Sequence, residues 1–243
     1  MRVRLTPARR RGVEILDDPA TPGDVRERAM GDIARANTLF GGTRSAMEAL
    51  RQVLPELPRR AVLLDVGTGL ADIPIGARDE AMRGGVALTI IGTDLRESLL
   101  RAARAPLDAA AAGDALRLPI ADASVDVALC SQLLHHFAEA DARRLILELH
   151  RVSKGWVVVS DLRRSWVAAA GFWLASVALR FQPVTRHDGV ISVLRGFTAR
   201  ELGALVREAT GETPTVRHGA FWRISATWKK SDSLPVIDLS ARK

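Results

Sequence analysis

Leu63 to Pro74 reads LLDVGTGLADIP, and the fold of the chain turns on that stretch. An apolar run ends in Asp-Val-Gly-Thr-Gly, the pattern of a strand that turns tightly and opens a helix. Glycines at such a turn can cradle a pyrophosphate, or let the backbone pass close to another adenosine-containing ligand. In the dinucleotide fingerprint GxGxxG the third small position falls on Asp72, which would set an acid beside two phosphates. One residue earlier, the spacing GxGxA is satisfied by Ala71.

Outward from this turn, short apolar runs alternate with helical stretches: AVLLDV, VALTIIGTD, VDVALCS and GWVVVSD. Runs this apolar suit strands buried on both faces, and the alternation predicts a doubly wound parallel α/β sheet. The alanine-rich segments Glu97 to Ala112 and Glu139 to Arg151 read as crossover helices. Near the end, FTARELGALVREAT reads as a helix, followed by two antiparallel strands joined at Gly219.

The flanks divide the chain. Residues 1–23, with three prolines among charges, read as a flexible arm. Residues 24–58 carry apolar residues at helical spacing, broken at Phe40-Gly41-Gly42, and predict two helices. The main domain spans 59–230 and a polar tail follows at 231–243. Within the domain, 163–197 reads as a helical insertion containing SWVAAAGFWLASVALRF, Ser165 to Phe181. At 17 residues this segment is at the lower limit for spanning a bilayer. It is open to three readings: a buried helix, a wall for a greasy substrate, or contact with a membrane surface.

Composition narrows the function classes. The chain has 243 residues, 47% hydrophobic and 26% charged, ordinary values for a globular protein. The net charge of +7 rests on 31 arginines among 35 basic residues; only Arg9 to Arg11 form a triple basic cluster, so nucleic acid is disfavoured as a partner. The single cysteine, Cys130, excludes an internal disulfide and a cysteine-based zinc site. No apolar signal-peptide core follows Met1, and a cytoplasmic location is expected.

The motifs in order resemble the class I S-adenosylmethionine-dependent methyltransferases, in particular the type 11 and quinone-biosynthesis members. LLDVGTGLA resembles the first motif, and IIGTDL places Asp94 27 residues after Gly67. GDALRLPIADASVDV is similar to the family pattern GDAxxLPxxDxSFDxV. LILELHRVSKGW is similar to LxELxRVLKPGG, but lacks the proline and second glycine, so a tighter entry into the fifth strand is expected. The resemblance runs from Ala61 to Asp161.

It implies a Rossmann-like seven-stranded sheet with an antiparallel C-terminal pair, N-terminal cap helices and S-adenosylmethionine as cofactor. It also implies a cofactor set: Asp65 near the methionine amino group, the turn Gly67, Thr68 and Gly69, and Asp94 with Leu95 at the ribose. Asp114 would bond the adenine amino group with Ala115 beside the ring, and Ser131 would close the set at the end of the fourth strand. ARANTLFGGTRSAMEALRQVL resembles the segment preceding the first motif in quinone-ring methyltransferases, which puts Arg44 at the methionine carboxylate. An acid-lined pocket suits a sulfonium, where two phosphates would be repelled.

For the acceptor chemistry, His135 and His136 follow the fourth strand, where they could serve as helix start and pocket wall or as a general base; no metal is expected. His187 and Asp188, in RHDG, could reach over the site as base and orienter, or form a plain turn. The Asn/Asp-Pro-Pro-aromatic motif of nucleic-acid amino-methyltransferases is absent: the corresponding stretch reads CSQLLHHF. The expected acceptor is small and hydrophobic, an aromatic, polyketide-like or quinol-like compound of secondary metabolism. O-methylation is favoured, then C-methylation. The alternatives are an RNA or protein methyltransferase, or a binding protein that keeps the cofactor without catalysis.

Overall fold

In the computed structural model the described residues are 6–18, 20–103 and 107–231. The expected polar tail therefore lies outside them, Ser231 apart, as does the start of the arm. Seven strands, β1 (Arg60–Val66), β2 (Ala87–Asp94), β3 (Ala109–Ala112), β4 (Val125–Ser131), β5 (Ser153–Leu162), β6 (Thr215–Gly219) and β7 (Arg223–Lys229), form one sheet in the order β3-β2-β1-β4-β5-β7-β6. β1 to β5 are parallel, and β7 runs antiparallel to both β5 and β6. The strand order reverses between β1 and β4, and open α/β sheets hold ligands at the carboxyl ends of strands flanking such a point.

Period-two alternation divides the strand residues between two cores. Leu63, Val127, Leu129 and Val158 face one layer, built with α2 (Gly42–Leu50) and α3 (Asp72–Arg83). Leu64, Val66, Ala128, Cys130, Val157 and Val159 face the other, covered by α5 (Glu139–Val152) and α8 (Ala199–Thr210). α2, expected as part of a cap, thus helps to build the core through Met47 and Leu50; α1 (Gly23–Leu39) supplies residues to the cavity described below. α8 starts at a capping box in which Thr198 and Glu201 satisfy each other's backbone N–H groups. No loop separates α5 from β5: the helix ends at Val152 and the strand begins at Ser153.

Three sequence expectations are corrected. The Glu97–Ala112 stretch is not one helix: α4 covers only Glu97–Ala102, and Ala109–Ala112 form the edge strand β3 on Ile91–Asp94. Alanine's helix propensity is overridden by the open edge of β2, and the Asp108 carboxylate helps by accepting from Ile90 N at 2.6 Å. The C-terminal hairpin turns not at Gly219 but at Phe221 and Trp222, both at positive φ, with Arg223 N donating to Ala220 O. RHDG is no turn, because Pro183 sits in the first turn of α7 (Pro183–Arg195) and carries the helix through it. Gly189 is there for packing: a Cβ would meet the Phe172 ring of α6 (Trp166–Ala178) at 2.1 Å.

α6 itself is not buried. It seats Ala169, Ser176 and Phe172 inward and leaves two tryptophans exposed. The stretch expected as a flexible arm has no strand in its described part, and no α-helix before Gly23 opens α1, yet it is held at several points. Arg164 Nε donates to Pro7 O, Arg9 Nη2 to Phe137 O, and Asp188 accepts from the N–H groups of Ile15 and Leu16, each at 2.9 Å or less. Among the described residues no helix is long and apolar enough to cross a membrane.

Candidate active site

A cavity of about 480 Å³ opens at the carboxyl ends of β1, β2 and β4, within the range of small-molecule sites. Its floor is the glycine turn. Gly67 has φ 73°, and a Cβ there would meet Leu133 at 2.9 Å, so both conformation and space call for glycine. The N–H groups of Gly67 and Thr68 donate to Thr93 O, Gly69 N to Asp94 Oδ2 at 3.1 Å, and Ala71 N to Thr68 O. Four N–H donors of the turn are thus engaged within the protein.

The charge of this floor is negative. Asp65 is fully buried, and burial, with Asp94 adding to it, pushes its carboxyl up to about 7 against the opposing Thr68 hydroxyl. Ser131 Oγ is buried without a hydrogen-bond partner among the described residues, and Ser131 and Thr68 both line the cavity. A ligand with a cationic group and hydrogen-bonding edges fits this surface; a polyphosphate does not. Leu95, 75% exposed at the cavity edge, offers an apolar surface to a ring.

The two histidines also line the cavity, on a 3-10 turn at Leu134–His136. His135 is buried, and its Nδ1 lies 2.6 Å from Asp161 Oδ1. In a neutral imidazole this carboxylate favours the tautomer with the proton on Nδ1, which makes Nε2 the accepting nitrogen. Burial alone would raise Asp161, but His135 and the N–H groups of Leu162 and His135 outweigh it and hold the carboxyl below its ordinary range. Burial likewise would lower His136, but Asp17 and Glu14 outweigh it and raise the imidazole. Glu14, His135 and His136 each bring a ligating atom to within 4.8 Å of one another. Glu14 Oε1 is already engaged, accepting from Arg195 Nη1 and Ser192 Oγ at 2.8 Å each.

Several expected site residues lie elsewhere. Arg44 is 70% exposed and pairs with Glu48 on its own helix at 3.3 Å, because its helical position faces away from the sheet. Asp114 is exposed and caps its own loop by accepting from Leu116 N, while Ala115 packs on the core; neither lines the cavity. His187 is half-exposed and pairs with Asp188, outside the cavity. Asp188 lines the cavity, but both its oxygens serve the arm. Asp65, Gly67, Thr68, Gly69, Asp94, Leu95, Ser131, His135 and His136 are brought together: Asp65 beneath the turn, the others lining the cavity.

Sequence reading did not single out five residues that contribute here. Glu14, Leu16 and Asp17 of the arm line the cavity, as does Phe172. So does Arg223, a buried cation whose Nε donates to Phe40 O and Nη1 to Gln132 Oε1. Burial lowers its guanidinium to about 10, although Asp161 opposes this. The arginines around it in composition are many, and only the pairing of β7 with β5 singles this one out.

Fold and cavity together define a class: a Rossmann-like α/β protein with an acid-floored ligand site at its topological switch point. Residues 64–159 match the model of the family described as methyltransferase domain, and the match supports a class I S-adenosylmethionine-dependent methyltransferase. Among solved structures, a Thermotoga maritima S-adenosylmethionine-dependent methyltransferase, described as a possible histamine N-methyltransferase, superposes with a TM-score of 0.59 at 18% identity, covering 86% of this chain and 99% of that one. An Aquifex aeolicus S-adenosylmethionine-dependent methyltransferase gives 0.55 at 16% identity over 82% and 98% of the two chains. The magnesium protoporphyrin IX methyltransferase of Synechocystis PCC 6803, solved with bound S-adenosylhomocysteine, gives 0.56 at 12% identity over 89% and 91%. At these identities the likeness establishes the fold. No curated protein sequence matches the chain.

Proposed function

We propose that the protein methylates a hydroxyl of a small aromatic acceptor, with His135 as general base. The observation that carries this is the buried His135–Asp161 pair, whose histidine lines the same cavity as the glycine turn. A phenol with a pKa of about 10 is ionised in roughly one molecule per thousand at neutral pH, so a base in contact with it contributes on the order of 10²–10⁴-fold. His135 Nε2 accepts the acceptor's proton, and Asp161 stabilises the imidazolium that results. Phe172 and Val193 provide apolar wall for a ring.

S-adenosylmethionine, when bound, supplies a methyl group on a sulfonium for in-line transfer. Asp65 and Asp94 would face its positive charge and its ribose, with Thr68 and Ser131 as hydrogen-bonding groups. Arg223, in place of Arg44, would take the methionine carboxylate. On this reading α1 and the arm cover the cleft, and the 163–197 insertion forms the acceptor side of the 59–230 domain.

The test is incubation of the purified protein with methyl-labelled cofactor and a panel of phenols, quinols, tRNA and protein. Label in a phenol, as an ether, is the expected outcome. Label in a ring carbon would move the reading to C-methylation, and label confined to RNA or protein would defeat it.

A further inference from the structure

α6 stands out among the helices for the side it turns to solvent. Trp166, Val167, Trp173, Leu174 and Val177 are 40–62% exposed, and their spacing places them on one side of the helix. From Ser165 to Leu179 the sequence has no charged residue. The opposite side seats Ala169 and Ser176 and sends Phe172 to the cavity. One helix thus separates the cavity from an exposed apolar face.

Arginines stand at both ends of that face. Arg10 and Arg11 are exposed, and the Arg10 guanidinium lies 5.0 Å from the Trp166 ring centroid. Arg180 is exposed just beyond the C-terminal end of the helix. No acidic residue occurs from Arg163 to His187. The Arg9 to Arg11 cluster therefore has divided roles: Arg9 turns inward to Phe137 O and the Phe197 ring, while Arg10 and Arg11 are exposed and Arg10 sits beside α6.

We propose that this face docks the protein on an anionic membrane surface, with α6 lying in the interface plane. Tryptophans among aliphatic side chains suit the headgroup boundary, and basic residues at the rim suit anionic lipid. The indoles are the only hydrogen-bonding side chains among the exposed residues of the face, so a protein partner would find little to set its register; a bilayer needs no register. At 13 residues α6 is far too short to cross. The docked face would lie one helix thickness from the cavity, on the side that Phe172 walls. The inference concerns the surface and stands independently of the acceptor chemistry.

The experiment is co-sedimentation of the full chain with vesicles of mixed phosphatidylglycerol and phosphatidylcholine, and with phosphatidylcholine alone. Binding to the anionic vesicles, weakened by salt, is expected. Arg10→Ala with Arg11→Ala should weaken it by roughly fivefold per arginine. Trp173→Glu with Leu174→Glu should weaken it about tenfold or more. Circular dichroism and melting temperature establish that each variant is folded. Absence of wild-type binding to anionic vesicles overturns the proposal, and so does binding that the Trp173 and Leu174 changes leave intact. A wild-type dimer that Trp173→Glu converts to monomer, without vesicle binding, would assign the face to a second copy instead.

Discussion

One carboxylate, that of Asp161, holds His135 twice: Oδ1 lies 2.6 Å from the ring Nδ1, and Oδ2 accepts the backbone N–H of His135 at 2.8 Å. Ring and turn are therefore oriented together, with Nε2 as the remaining nitrogen. The arrangement joins the end of β5 to the turn after β4, elements separated by a whole crossover helix.

Asp161→Asn keeps the shape but loses the charge that stabilises an imidazolium and permits the wrong tautomer. We expect kcat to fall by about 10²–10⁴-fold with cofactor affinity within twofold of wild type. Equal kcat values would show that the pair is structural. Chelators should leave the rate unchanged, because the base reading requires no metal.

Asp65 makes both affinity and stability depend on pH. Its folded pKa of about 7 lies above the unfolded value of about 3.9, so its contribution to folding is complete below pH 4 and is lost as pH rises through 7. Asp65→Asn should therefore stabilise the ligand-free protein at pH 8, by on the order of 1–3 kcal/mol, while weakening cofactor binding. In the wild type, a cationic ligand engages the ionised form, and its affinity should rise about tenfold from pH 6 to pH 8. Calorimetry across that range reads both effects, and a flat affinity would remove Asp65 from the site.

Arg223 and Arg44 make opposite predictions. Arg223→Met should weaken S-adenosylhomocysteine binding by about 10- to 100-fold, the size of a lost charge-assisted hydrogen bond. Arg44→Ala should leave it unchanged. The reverse result would return the carboxylate to α2.

Gly189→Ala tests how the insertion is packed. With 2.1 Å between the added Cβ and Phe172, α6 and α7 must separate or the ring must leave the cavity wall. Overpacking of this kind costs about 1–3 kcal/mol, a fall in melting temperature of roughly 2–12 °C for a chain of this size. An unchanged melting temperature would mean the two helices are loosely joined.

Much of this was legible in the residues. The apolar runs at β1, β2, β4 and β5 were readable because buried parallel strands need no polar partner other than each other. Gly67, Gly69 and Ala71 marked the turn, since a left-handed conformation or a close approach leaves a residue-type record in the chain. Asp65 and Asp94 stood out because they sit at the carboxyl ends of such strands, and the two histidines because they come soon after one. β3 was not legible: Ala109–Ala112 carry a local preference for helix that the edge of β2 overrules. The exposure of Arg44 was not legible because a helix face is decided by what packs against it, and α2 packs through Met47 and Leu50.

By itself, then, the sequence determined the order of the buried strands β1, β2, β4 and β5, the glycine turn and the acidic character of its surroundings, since these depend on neighbours a few residues apart. Only the tertiary structure decided which side chains meet across the cleft: Asp161 with His135, Glu14 with Arg195, and Arg223 with Gln132. It also decided that α6 turns its tryptophans outward. These pairings join residues 26 to 181 positions apart, and no local preference encodes a contact that exists only once the sheet has brought its edges and ends together.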